Sequence, residues 1–147
     1  MEADGSQAAV GGNRKILLVD DNAVVLKALE LKLSSSGFAV IPAKDGATAV
    51  SMARQENPSL VILDLNFEPT GDFSSLNWDG LNIMQWLRRV QDGLDTPIVV
   101  LSMEDPANYE QLCLAAGAAA YFQKPVDYRV FLETILQLLG DSPQPVQ

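Results

Sequence analysis

Five short apolar runs punctuate the chain, and each is followed by a stretch with helical spacing. The runs are Lys15 to Asp20 (KILLVD), Phe38 to Ala43 (FAVIPA), Leu60 to Leu65 (LVILDL), Pro97 to Leu101 (PIVVL) and Ala119 to Gln123 (AAYFQ). They are nearly continuous in apolar character rather than alternating, the pattern of strands buried on both faces, as in a parallel sheet covered by helices. Pro42 cannot donate to a ladder, so the second strand belongs at a sheet edge.

The intervening segments carry helix signals. Asp21 or Asn22 can cap a helix bearing Val25, Leu26, Leu29 and Leu33, which Gly37 ends. Asp45-Gly46 opens a second, with Ala49, Val50 and Met52, that must stop before Pro58. Leu81, Met84, Leu87 and Val90 mark a third; Asp105-Pro106 opens a fourth that ends at Gly117. Asp127 caps the fifth, with Val130, Phe131, Ile135 and Leu138 expected on one face up to Gly140. Strands alternating with helices give an α/β fold, a doubly wound parallel sheet joined by right-handed crossovers.

Ligands of such sheets bind beyond the carboxyl ends of the strands. Strand one ends on Asp20 and Asp21, strand three on Asp64, strand four at Ser102, and Lys124 follows strand five. Three acids, a hydroxyl and an ammonium therefore converge on one edge. Alone, each would be a helix cap, a loop hydroxyl or a solvated charge; the ordered set is what carries information.

Composition narrows the chemistry. The 147 residues suit one domain, and 48% of them are apolar, as in a globular core. Histidine is absent, which excludes Ser-His-Asp and Cys-His nucleophiles, histidine metal ligands and a phosphohistidine on this chain. The single Cys113 allows no internal disulfide; it reads as a helix packing residue. A net charge of −9 repels phosphate backbones, so no direct nucleic-acid binding is expected. Neither a secretory signal nor a transmembrane run is present, so the expected location is cytoplasmic, with no membrane partner.

The segments ILLVDDN, LVILDL, Asp79-Gly80, VVLS and GAAAYFQKP, with the amphipathic helix that follows, resemble the response-regulator receiver family of two-component signalling over roughly residues 14 to 140. The resemblance implies a (βα)5 flavodoxin-like three-layer sandwich with a five-stranded parallel sheet in the order 2-1-3-4-5. It implies that Asp64 is phosphorylated. Asp20 and Asp21, with Asp64 and the backbone carbonyl of Asn66, would hold Mg2+ or Mn2+. Ser102 matches the switch hydroxyl, Tyr121 the switch aromatic, and Lys124 the lysine whose bond to Pro125 is cis in the family. The implied partners are a histidine kinase or histidine phosphotransfer protein and a downstream protein or effector domain. A homodimer through the fourth helix, fifth strand and fifth helix is also possible in the family.

The charges explain why a cation is wanted. Two unit charges ~5 Å apart at an effective dielectric of 20 interact by about 3 kcal/mol. Three close carboxylates repel by roughly 10 kcal/mol, and one lysine offsets a comparable amount. A phosphoryl group adds a further charge of about −1.5 to −2, which the lysine cannot also absorb. Mg2+ accepts oxygen ligands and keeps waters, needing one or two carboxylates plus phosphate oxygens.

The chain departs from the family in one place. Between Asp64 and Asp79-Gly80 about eight extra residues extend the segment NFEPTGDFSSLNW, Asn66 to Trp78. Our hypothesis is that this 66–78 loop partly covers the acidic site; deleting the extra residues should then change the dephosphorylation rate, and an unchanged rate in an intact fold would count against it. Residues 1–13 and the Pro- and Gln-rich 141–147 read as a flexible tail and as a tail or linker stump. The chain is expected to be a stand-alone receiver or a piece of a larger protein. The sequence disfavours two rivals. An aspartate-nucleophile phosphatase on a related fold generally wants an acid two residues after the nucleophile, where this chain has Asn66. A flavodoxin-like FMN binder wants a hydroxyl- and Gly-rich loop after strand one, which is missing.

Overall fold

A computed structural model of the chain describes residues 14–65, 84, 96–103 and 106–140. Five strands form one sheet: β1 (Lys15–Val19), β2 (Ala39–Ala43), β3 (Leu60–Leu65), β4 (Ile98–Ser102) and β5 (Ala120–Gln123). They run parallel in the order β2-β1-β3-β4-β5, so the proline-bearing β2 stands at the edge, as Pro42 requires. Four helices are described: α1 (Ala23–Ser35), α2 (Gly46–Glu56), α3 (Pro106–Ala115) and α4 (Tyr128–Leu138). The helix expected over Leu81 to Val90 lies outside the described residues except for Met84, which is helical and fully buried.

The period of two along each strand sorts the core into two layers. Leu17, Val19, Val61, Leu63, Ile98 and Val100 face one way, against Met84, Ala49 and Ala53 of α2, and Cys113 of α3. Ile16, Leu18, Leu60, Ile62, Val99 and Leu101 face the other, against Leu26 and Leu33 of α1 and Phe131, Ile135 and Leu136 of α4. Burying side chains of this size stabilises by roughly 1.5–3 kcal/mol each, which is why continuous apolar runs specify the centre of the sheet. Phe131 stacks edge-on against Phe122, ring centroids 5.3 Å apart.

The last helix corrects one expectation. Val130 is 48% exposed, and the buried stripe of α4 is Phe131, Ile135 and Leu136. At about 100° per residue Phe131, Ile135 and Leu136 span about 140° of the helix, whereas Val130 lies about 140° from Ile135 and about 120° from Leu136, on the side turned away from the core. Phe131 sits between Phe122 and Tyr128, its ring in contact with both.

Caps set where the helices start and stop. Asn22 caps α1, its side chain accepting from the backbone N–H groups of Val24 and Val25. Asp45 caps α2 through Thr48 N–H at 2.7 Å, and Asp127 caps α4 through Arg129 N–H at 3.0 Å. Gly37 follows α1 with φ 99°, a left-handed conformation in which a Cβ would be strained. Asn57 ends α2 with φ 50°, in the left-handed region that asparagine tolerates better than most residues.

A clasp joins the last turn of α1 to the first residue of α4. The Tyr128 hydroxyl donates to the Lys32 carbonyl at 3.2 Å and lies 3.1 Å from Ser36 Oγ, while Lys32 Nζ sits 5.3 Å from the Tyr128 ring centroid. Arg14 donates to the Leu139 carbonyl, tying the start of β1 to the end of α4.

Candidate functional site

The register of the sheet brings the chemistry together. Val19 pairs with Leu63, so Asp20 and Asp64, the next residues, emerge side by side from β1 and β3. Asp64 pairs with Leu101 and Leu65 with Ser102, which puts the Ser102 hydroxyl at the same edge. Lys124 comes in from β5, its backbone N–H donating to the Ser102 carbonyl at 2.8 Å. That bond fixes the lysine against the end of β4, one strand away from Asp64.

Asp20, Asp64 and Ser102 are the buried polar residues of the described chain, at 2%, 5% and 0% exposure. Ionised carboxylates are almost never buried this deeply without a compensating charge. The compensation is the Lys124 ammonium, which is ion-paired with Asp64 Oδ1. Asp20 is held by its own loop: its N–H donates to the Ala43 carbonyl at 3.0 Å, and its Oδ1 accepts from Asn22 N–H at 2.9 Å. Burial pushes the Asp20 carboxyl up to about 7; Asp64 adds to the rise, while the Asn22 N–H and Lys124 oppose it.

Asp21, in contrast, is exposed on the rim. The three acids therefore do not form a closed cage: among the described residues no cluster of three acidic, thiol or imidazole side chains is positioned around one point. Two buried carboxylates, a rim carboxylate and no nitrogen or sulfur donor suit a hard, partly hydrated divalent cation, which takes few protein ligands and fills its shell with water. The residues present fit Mg2+. Asn66, expected to add a backbone carbonyl, lies outside the described residues, as does the rest of the 66–78 loop. Tyr121 is half-buried on β5, packed against the core layer beneath α2 and α3. The Lys124–Pro125 peptide is cis.

Cys113 is buried in α3, and burial pushes its thiol up to about 11, away from thiolate chemistry. The hydrogen bond from Asn22 to Asp20 is the contact that pattern reasoning missed. Its signal was there, an N-cap residue placed directly after the acid pair.

Residues 16–136 match the family described as the response regulator receiver domain. The chain belongs to that family. The receiver is 25% identical over 129 residues to the polar-differentiation response regulator DivK of Brucella ovis, a match that covers 88% of this chain and 98% of DivK. Its fold matches the receiver domain of the sensor histidine kinase PA1611 of Pseudomonas aeruginosa PAO1 with a TM-score of 0.72 and 26% identity, over 87% of this chain and 98% of that one. That protein holds a magnesium ion in its active-site cleft. The chemotaxis protein CheY4 of Vibrio cholerae matches equally well, with a TM-score of 0.72 and 25% identity over 85% of this chain and 98% of that one. The receiver is thus a two-component signalling domain of flavodoxin-like architecture, and its family binds Mg2+ and works with histidine kinases or phosphotransfer proteins. Among the described residues no helix is long and apolar enough to cross a membrane.

Proposed function

We propose that this receiver is a phosphoacceptor switch that takes a phosphoryl group onto Asp64 from a phosphohistidine of a histidine kinase or phosphotransfer protein. The observation that carries the reading is a buried Asp64 carboxylate whose one described counter-charge is Lys124. An Asp64 oxygen attacks phosphorus as the donor's N–P bond breaks, and the electron pair of that bond leaves with the imidazole nitrogen. The product is an acyl phosphate. Asp20, Asp21, Asp64 and the Asn66 carbonyl would hold Mg2+ or Mn2+, which supplies positive charge against the phosphoryl oxygens.

Lys124 is a compact point charge that can leave Asp64 Oδ1 for a phosphoryl oxygen. Ser102, at the end of β4, donates its hydroxyl to another. That displacement opens space into which Tyr121 rotates, altering the surface formed by α3, β5 and α4. A downstream protein, an effector domain or a second copy of the receiver reads that surface. The domain autophosphorylates from small donors and dephosphorylates itself, acting as a switch in the cytoplasm rather than as a metabolic enzyme.

Acyl phosphates are cleaved by hydroxylamine, whereas serine, threonine and tyrosine phosphates survive it. The phosphorylated receiver should lose its label in hydroxylamine and carry the resulting hydroxamate at Asp64 by peptide mapping. A hydroxylamine-resistant label, or a hydroxamate at another residue, would refute the assignment.

A further inference from the structure

The Asp20 carboxylate is aimed by a device that lies outside the acidic set. Its Oδ1 accepts a hydrogen bond from the backbone N–H of Asn22 at 2.9 Å. Asn22 itself is extended, φ −95° and ψ 111°, so the chain passes from the turn at Asp20 directly into α1. The Asn22 side chain ties the same residue to the helix from the other direction. Its Oδ1 accepts from Val24 N–H at 3.0 Å and Val25 N–H at 3.1 Å, and its carbonyl accepts from Leu26 N–H at 2.9 Å. Asn22 is thus the joint between the acid and the first turn of α1.

We propose that Asn22 is a positioning residue for the divalent cation: by capping α1 it locks the turn whose N–H holds Asp20 Oδ1. Asn22 donates no ligand in this arrangement and acts wholly through Asp20. The inference rests on the cation reading given above. An outer partner that orients a ligating carboxylate typically contributes 10- to 100-fold to metal affinity. The Asn22 side chain acts one bond further out, so its loss should fall near the lower bound.

The test is Mg2+ binding measured by calorimetry on the unphosphorylated receiver, together with urea unfolding of each variant without metal. Asn22→Ala removes the cap and should weaken Mg2+ binding about tenfold. Asn22→Ser, whose hydroxyl caps comparably well, should recover most of the affinity. Lower stability in Asn22→Ala with wild-type Mg2+ affinity would overturn the proposal, because a cap that only stabilises α1 gives that pattern. An Asn22→Ser variant that folds like wild type yet binds as weakly as Asn22→Ala would overturn it too. Absence of Mg2+ binding by the wild-type receiver would overturn the cation reading itself along with this one.

Discussion

Lys124 is ion-paired with Asp64 across an intervening strand: the lysine follows β5, the aspartate stands on β3, and β4 separates the two. The pair exists because Lys124 is bonded through its backbone to Ser102 at the end of β4, which lets its long side chain reach over. The acids of the neighbouring strands β1 and β3 are therefore tied, through Asp64, to the β5 side of the sheet by the Lys124 cation.

That dependence predicts opposite effects for the two partners. Lys124→Ala leaves the buried Asp64 charge uncompensated and should cost about 2–3 kcal/mol, less than a fully buried pair because the lysine is partly exposed. Asp64→Asn removes a charge from a crowded acidic site and should leave stability unchanged or raised. Urea unfolding of both variants without Mg2+ checks this; equal stability of Lys124→Ala and wild type would contradict it.

The Asp20 carboxyl adds a pH dependence with a definite sign. Its pKa is raised from 3.8 to about 7 in the fold, so between those values the folded state binds a proton that the unfolded chain has lost. Its contribution to stability is complete below about pH 4 and is lost as pH rises through 7, amounting to a few kcal/mol at about 1.4 kcal/mol per unit. Asp20→Asn lacks this term. Its stability relative to wild type should therefore increase from pH 5 to pH 8, and parallel curves would refute the assignment. Mg2+ binding near pH 6 should release a proton for the same reason, measurable from the buffer dependence of the binding heat.

Much of this fold is legible in the chain itself, and the reasons are local. KILLV, LVILDL and IVVL are strands because nothing but a two-sided core accommodates such runs, and Pro42 alone sends β2 to the edge. The acids and the lysine are legible too, since they occupy strand ends. The sequence does not reveal which acid is buried, because Asp20 and Asp21 are chemically identical neighbours and only the turn at Asn22 turns one inward. Val130 misled for a related reason: helical spacing identifies a stripe to within one residue, and the contacts of Phe131 with Phe122 and Tyr128 decide its phase. The Tyr128 clasp onto Lys32 and Ser36 is a pairing between distant segments, which periodicity does not encode.

The clasp yields a stability prediction. Tyr128→Phe keeps the ring beneath Lys32 but deletes the hydroxyl, and should cost about 1 kcal/mol in thermal or urea unfolding. No loss at all would mean that water replaces these bonds without penalty.

Asn57 offers a test of the backbone account. With φ at 50°, Asn57→Gly should be neutral to slightly stabilising, whereas Asn57→Ala should cost about 1 kcal/mol. The reverse order would show that the asparagine side chain, rather than its backbone conformation, is what matters at the end of α2.

The central claim is that Asp64 is the residue that accepts phosphate. The direct measurement is incubation with acetyl phosphate and Mg2+ followed by phosphate-affinity electrophoresis of wild type and Asp64→Asn. A slower-migrating band in the wild type that requires Mg2+ and is absent from Asp64→Asn is the predicted result. The same band in Asp64→Asn, or no band in a folded wild-type protein, would contradict it.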